Sequence, residues 1–485
     1  MEFSVITAEI TQKLINVVGD NYCFTEKNSL EDYCHDETED LNFPPEVVVK
    51  PANTNQVSEI MKLASKYNIP VTPCGARTGL SGGALCVHGG ISLSMERFSE
   101  IIEIDEDNLQ VVTQSAVITQ ELQEAVQEKG LYYAPDPASR GTCFIGGNIA
   151  ENSGGPRALK YGVTKDFVLN LEVVLPNGEI IETGANTLKN STGYNLTQLM
   201  VGSEGTLGIV TQATLKLIPC PKRNMLMLVP FSSAEKACEA VSAIFKAGIT
   251  PSALEFMERD AIKYTMDFTK ESPIELKDNE QAHLLIEVDG NDSEVLFKEC
   301  EVIASVVEDL ECGEIMFAET EAQKEALWFL RRRVGEAVKA TSIYKEEDTV
   351  VPRYQLPQLL KGVKEIGNRY GFKSICYGHA GDGNLHVHIM YNRASEADAK
   401  KAKAGIHKLM QKVVDLGGVI TGEHGIGLAK APFMGMQHSQ AEIAAMHSVK
   451  KALDPLGILN PGKIFEPFEV WDHELVDVQL PWDHR

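Results

Sequence analysis

The chain has 485 residues, 43% hydrophobic and 24% charged, and its 69 acidic against 45 basic residues leave a formal net charge of −24. That balance excludes a protein that coats nucleic acid, whose affinity rests on clustered Lys and Arg, while the length allows two or three domains around a sizeable core. The ten cysteines stand singly with no CxxC pair, which argues against a zinc ribbon or an iron–sulfur cluster and fits reduced thiols.

The N-terminal stretch MEFSVITAEITQKLINVVGD has no basic region followed by an apolar run. No segment approaches the roughly 18–20 apolar residues of a membrane span. A cytoplasmic protein is expected. Residues 1–45 read as one or two amphipathic helices ending at NFPPE. From Val47 the pattern alternates: EVVVKP as a strand, NQVSEIMKLASKYN as a helix, IPVTPCG as a strand, then a glycine loop and the strand ISLSM. This is a βαβ opening, common in nucleotide-binding folds. LQVVTQSAVI and TQELQEAVQEKG continue as strand and helix. LNLEVVLPNGEIIETG predicts a hairpin around Asn177-Gly178, and GSEGTLGIVTQATLKLIP closes a first block near residue 220. From 221 to about 392, strands such as AHLLIEVDG interleave with long helices, which predicts one antiparallel sheet covered on one face. From about 395 to 456 the pattern is mostly helical, broken by GGVITGEHGIGLAK. The final twenty residues hold two of the three tryptophans, too many for a solvated tail, so docking on the body or on a partner is expected.

Glycine-rich loops at 74–83 (CGARTGLSGG), 139–155 (SRGTCFIGGNIAENSGG) and 202–208 (GSEGTLG) can turn successive backbone N–H groups into one concavity, as a pyrophosphate needs. None matches GxxxxGK[ST], and none gives GxGxxG between strand and helix with a later acidic partner. Tight turns are the bland alternative; three loops within the first 210 residues favour a dinucleotide cradle. Further on, histidine is scarce, at 12 residues in 485, yet GHAGDGNLHVHIM crowds three into 378–390 and TGEHGIG follows. SICYGH and LHVHIMY read as strands joined by AGDGN, with His379 and His386 side by side and His386 and His388 on one strand face. Such a pair is often structural; held rigidly, it also suits a divalent metal, with Glu423 as a carboxylate ligand.

The motifs PCGARTGLSGGA, DPASRGTCFIGGNIAENSGG, GYNLTQLMVGSEGTLGIVT, GHAGDGNLH, GEHGIG and LNPGKIF stand in this order. From about residue 30 to 465 the chain thereby resembles the FAD-linked D-2-hydroxyacid dehydrogenases: the D-lactate dehydrogenase, glycolate oxidase subunit and D-2-hydroxyglutarate dehydrogenase types of the vanillyl-alcohol-oxidase (PCMH-type) superfamily. The resemblance implies an α+β protein with a bipartite FAD-binding domain (1–220), an antiparallel-sheet cap or substrate domain (221–410), a helical segment returning to the flavin (411–465) and a tail (466–485). It implies that Pro73, Cys74, Gly75, Ala76, Arg77, Thr78, Gly79 and Ser81 line the pyrophosphate. Pro137, Gly141, Thr142, Gly146, Gly147, Asn148, Ser153 and Gly154 would lie beside the flavin, with Gly205, Ile209 and Asn460 completing the cofactor contacts. Arg77-Thr78 stands where covalent relatives carry histidine, so non-covalent FAD is expected.

By the same resemblance His379, His386 and Glu423 ligate one divalent metal (Zn, Mn or Fe), His424 is the base, and Arg331 holds the substrate carboxylate through its planar fork. The neighbouring Arg332 and Arg333 read as a solvated face. Lys345 sits near a family lysine that contacts substrate, although its spacing to Asp348 and Pro352 is one residue off. His388 could touch substrate as a cation. The hydroxyglutarate type has threonine and asparagine where this chain has Gly335 and His388, which favours a small substrate. The implied reaction is oxidation of D-lactate to the 2-oxo acid, with the metal lowering the hydroxyl pKa, His424 taking the proton and hydride passing to flavin N5. Alternatives are a glycolate or D-2-hydroxyglutarate dehydrogenase, a subunit of an electron-transfer-flavoprotein-linked complex, and a flavin-free metal hydrolase, against which the three glycine loops speak. Expected partners are a small 2-hydroxy acid and an electron acceptor such as electron-transfer flavoprotein, with a homodimer as one open arrangement.

Overall fold

Asn53 starts the first long helix by accepting from the Gln56 amide at 3.0 Å, which satisfies one of the donors a helix start leaves unpaired. The helix, Thr54–Tyr67, buries Val57, Ile60, Met61 and Ala64, an i, i+3, i+4, i+7 stripe. Those side chains join Val47, Val49, Val71, Ile91 and Leu93 in one core, where each fully buried aliphatic side chain contributes about 1.5–3 kcal/mol. In this computed structural model, residues 3–271, 273–341, 344–392, 395–468 and 470 are described. The strands Val47–Val49 and Val71–Cys74 flank Ile91–Ser94, both parallel to it, with Cys23–Phe24 antiparallel at the edge. The βαβ reading is therefore correct, with the third strand inserted between the first two.

A second sheet is five-stranded and antiparallel: Ile101–Asp105, Gln110–Gln114, Ile209–Lys216, Val168–Val174 and Ile180–Glu182, in that spatial order. The Asn177-Gly178 turn joins the last two, with Gly178 at φ +85°. The backbone at Leu459 bridges to Val71 as a further parallel partner of the first sheet. Among the described residues, those up to 154, 162–220 and 423–470 make this first unit; 155–161 and 221–422 make the second. The second unit takes in 155–161 as well as 221–422. The reason is ionic, because within the second unit Arg157 pairs with Glu287, and Lys160 with Asp289 at 2.5 Å. Most of the tail, residues 471–485, lies outside the described residues, so the expected docking of its tryptophans does too.

The second unit is built on a seven-stranded sheet in the order Met316–Phe317, Arg223–Phe231, Ala282–Gly290, Ala253–Glu258, Lys373–Gly378, Asn384–Met390, Tyr344–Val350, antiparallel at every pairing. Here the expectation of one covered face is wrong. Every residue of Ala253–Glu258 is buried, which requires cover on both faces. Residues from the helices Arg259–Thr269, Glu321–Arg332 and Val334–Thr341 pack with Leu226, Leu285, Ile375 and Tyr377 on one face. The helices Ala234–Lys246, Ser293–Glu308 and Leu356–Tyr370 form a second packed group. Alternation alone could not show this, because central strands read as continuous apolar runs. Among the described residues no helix is long and apolar enough to cross a membrane.

Candidate active site

In the first unit Pro73 and Cys74 end the strand Val71–Cys74, and the loop after it carries Gly75, Ala76, Arg77, Thr78, Gly79 and Ser81 out of the carboxyl end of a parallel strand, the usual place for a ligand on such a sheet. A Cβ added at Gly205 would lie 3.4 Å from Pro73 Cγ, which shows how closely the third glycine loop packs on the first. Asn460 locks the same region: its Nδ2 donates to the carbonyls of Gly83 (3.0 Å) and Glu204 (2.8 Å). In the second loop Gly146 lies tight against Ser115, where a Cβ would meet the Ser115 carbonyl at 2.9 Å. Asn148 donates to Thr119 Oγ1 at 2.6 Å. Gly141, Thr142, Gly147 and Pro137 lie on this loop, Ser153 and Gly154 follow the short helix Ile145–Glu151, and Ile209 begins a buried strand. Arg77 adopts φ +62° and turns its guanidinium over the Tyr33 ring, 4.6 Å from the centroid and 3.6 Å from Glu96.

From Glu423 onward the GEHGIG segment belongs to this unit and is held by the same loops. Glu204 accepts from the amides of Ile426 (2.8 Å) and Gly427 (2.6 Å), and the Ser81 carbonyl accepts from Leu428 at 2.7 Å. Glu423 lies at the second loop, since a Cβ on Gly154 would stand 2.9 Å from its Oε2. His424, the next residue, is half-buried. Sequence reasoning did not single out four ionisable groups nearby, Glu151, Glu204, Asp36 and Lys463. Burial pushes the Glu151 carboxyl well above the usual carboxylate range, and the negative charge of Glu204 adds to that. Burial raises Asp36 to about 6 and lowers the Lys463 ammonium to about 8. The only sequence signal for Glu151 and Glu204 was an acid inside a glycine-rich run.

In the second unit, His379 closes the strand Lys373–Gly378 and His386 lies in the strand that follows, across a turn where Gly383 takes φ +88°. Their rings stand 5.4 Å apart in a T-shaped arrangement. The register pairs Tyr377 with His386, His388 with Glu346, and His386 with Asp348, so these side chains share one face. His386 Nδ1 lies 3.8 Å from Asp348 and 3.9 Å from Glu346. Asp348 also accepts from the Gly422 amide at 2.7 Å and from Thr421 Oγ1 at 2.9 Å, pinning the residue before Glu423. His388 is fully buried, its Nε2 2.8 Å from the Tyr377 hydroxyl and 3.2 Å from Glu346. Lys345 pairs in register with Ile389, on the face opposite His386 and His388.

Of the three arginines, Arg331 alone is buried, at 6% exposure. It reaches Glu255 Oε2 at 2.6 Å, and its guanidinium lies 5.3 Å from the Tyr377 ring centroid. Arg332 is exposed, and Arg333 pairs with Glu336. Glu255 also receives His379 Nδ1 at 2.9 Å on both oxygens. Burial pushes its carboxyl up, but His379 and Arg331 outweigh that and hold it below its ordinary value. The face thus gathers two imidazoles, buried carboxylates and one guanidinium: donors for a hard or borderline cation beside a cation for a carboxylate.

Two family models match the chain: an FAD binding domain over residues 45–184, and "FAD linked oxidases, C-terminal domain" over residues 220–464. The chain is 40% identical to glycolate oxidase subunit GlcD of Bacillus subtilis, over 95% of this chain and 97% of that protein. It is 38% identical to a D-lactate dehydrogenase of Anaerostipes hadrus (96% and 98%). It is 34% identical to a D-2-hydroxyglutarate dehydrogenase of Xanthomonas citri pv. viticola (91% and 94%). Among solved structures, p-cresol methylhydroxylase with substrate bound superposes with a TM-score of 0.79 at 17% identity, covering 94% of this chain and 96% of that one. A 4-ethylphenol oxidase from Gulosibacter chungangensis gives 0.76 at 18%, covering 97% and 99%. At such identities the structural likeness speaks to the fold alone.

Proposed function

Because the chain belongs to the FAD-linked oxidases of the PCMH-type FAD superfamily, and FAD-linked hydroxyacid oxidation follows from its relatives, we propose that its substrate is a small D-2-hydroxy acid, D-lactate first. The observation that carries the reading is the buried face on which His379 and Arg331 meet on Glu255, with the His386 ring 5.4 Å from that of His379.

The residues fit both groups the reaction requires. Ser81 Oγ, Ser115 Oγ and Asp36 Oδ2 are buried without hydrogen-bond partners among the described residues, as expected of a cradle for a polar ligand. Non-covalent FAD there supplies the hydride acceptor, and a divalent cation on His379, His386 and Glu423 supplies the Lewis acid. What supports Glu423 is the resemblance and its place directly after Gly422, which Asp348 anchors. Arg331 binds the substrate carboxylate; its Nε is buried and without a partner among the described residues. His424 accepts the hydroxyl proton, for which an imidazole is suited near neutral pH. Helix cover on the histidine-bearing face excludes water from the residues that hold the carboxylate.

Gly335 favours a small substrate over hydroxyglutarate: a Cβ there would meet the Tyr377 hydroxyl at 2.9 Å, and the His388 network already occupies that hydroxyl. An electron-transfer flavoprotein is the proposed acceptor, in a cytoplasmic setting. The test is an anaerobic visible spectrum before and after D-lactate. A bleached flavin band is expected; a band that only glycolate or hydroxyglutarate bleaches would reassign the substrate, and no flavin band after reconstitution would end the reading.

A further inference from the structure

Glu255 sits in the middle of Ala253–Glu258 and is 0% exposed. A carboxylate there is tolerated only if its charge is matched and its lone pairs are used. Both conditions hold. His379 Nδ1 lies 2.9 Å from each oxygen, and Arg331 Nη2 lies 2.6 Å from Oε2. Ala253 and Met257 flank Glu255 on its strand face, which carries Tyr377, His386 and His388 across the sheet. The strand is buried throughout, so this carboxylate is a shared anchor for two buried side chains from other elements.

We propose that Glu255 is a positioning residue that ties the His379 imidazole to the Arg331 guanidinium, so that metal affinity and substrate binding depend on one buried carboxylate. The inference rests on the reading of His379 as a metal ligand and Arg331 as the carboxylate site. Accepting a hydrogen bond from Nδ1 assigns the His379 proton to that nitrogen. Nε2 is then the nitrogen with a lone pair, the tautomer a ligating imidazole needs. The same carboxylate holds one Nη of Arg331 and fixes the plane of the fork, which leaves Nε for an incoming carboxylate. A substrate carboxylate at Arg331 Nε and a cation at His379 Nε2 each engage a side chain that Glu255 orients. The two ligands are thereby coupled through Glu255.

The experiment compares wild type, Glu255→Gln, Glu255→Asp and His379→Ala, all loaded with FAD. Mn²⁺ affinity is measured by chelator competition, and KM and kcat for D-lactate are followed separately. Glu255→Gln keeps the volume and loses the charge; its Mn²⁺ affinity is expected to fall roughly 10- to 100-fold, as for other partners that orient a ligating histidine, and KM to rise. Glu255→Asp should fall between. Mn²⁺ affinity and KM unchanged in a folded, flavin-loaded Glu255→Gln protein would overturn the proposal. A wild type that binds no divalent cation, with His379→Ala indistinguishable from it, would remove the metal reading itself, a different pattern of failure. Should Glu255→Gln not fold, nitrogen NMR of histidine-labelled wild type decides, with the resonance assigned by its loss in His379→Ala. Protonated Nδ1 on His379 in the metal-free protein is expected, and a protonated Nε2 with bare Nδ1 overturns the assignment.

Discussion

Arg331 differs from Arg332 and Arg333 only in where the helix Glu321–Arg332 points it, yet it alone is buried on a carboxylate. Removing one partner of a buried, hydrogen-bonded charge pair costs about 2–5 kcal/mol. Arg331→Ala should therefore lower kcat/KM for D-lactate by roughly 30-fold or more, since each 1.4 kcal/mol is about tenfold. It should also lower the melting temperature, because Glu255 is left with one cation. Unchanged steady-state constants would remove Arg331 from the site. Asp36 gives a pH prediction. Its carboxyl, ordinarily near 3.8, is raised to about 6 by burial. Between those values the folded chain holds a proton that the unfolded chain has lost, so this group costs stability as pH rises through that window. Asp36→Asn should then melt higher than wild type at pH 7, with the advantage gone near pH 4. Thermal melts of the FAD-loaded proteins at the two pH values check this, and an advantage equal at both would reject the burial argument.

At the level of elements, the GEHGIG segment is shaped by what grips it. Glu204 and the Ser81 carbonyl hold Ile426, Gly427 and Leu428, and Gly427 takes φ +46° with no room for a Cβ beside Ser81. Hydrogen bonds to a charged group are worth about 1.5–3 kcal/mol each, so Glu204→Ala should destabilise the protein markedly. Gly154→Ala is the finer probe. Its Cβ would stand 2.9 Å from Glu423 Oε2 and should displace that carboxylate without touching the first glycine loop. The expected result is weaker Mn²⁺ binding, and wild-type metal affinity in Gly154→Ala would argue against Glu423 as a ligand. The hairpin that holds His379 and His386 was readable from AGDGN and period two; the second helix layer on its sheet was not.

For the whole molecule, the residues assigned to FAD lie in the first unit, while His379, His386 and Arg331 lie in the second. Stripping divalent cations with a chelator should therefore leave the flavin bound and its spectrum intact, but abolish bleaching by D-lactate, with recovery on adding Mn²⁺ or Zn²⁺. Loss of FAD on chelation, or bleaching at an undiminished rate, would contradict this division of labour. The sequence by itself determined the βαβ opening, the three glycine loops, the histidine hairpin and the choice of Arg331, because each rests on local spacing or an ordered motif. Only the tertiary structure decided that Lys345 lies on the sheet face opposite His386, that both faces of the seven-stranded sheet are covered, and that Glu255 and Glu204 are buried. Register and burial depend on partners scores of residues away: His379 and Glu255 are 124 positions apart, and no local pattern of residue types records that pairing.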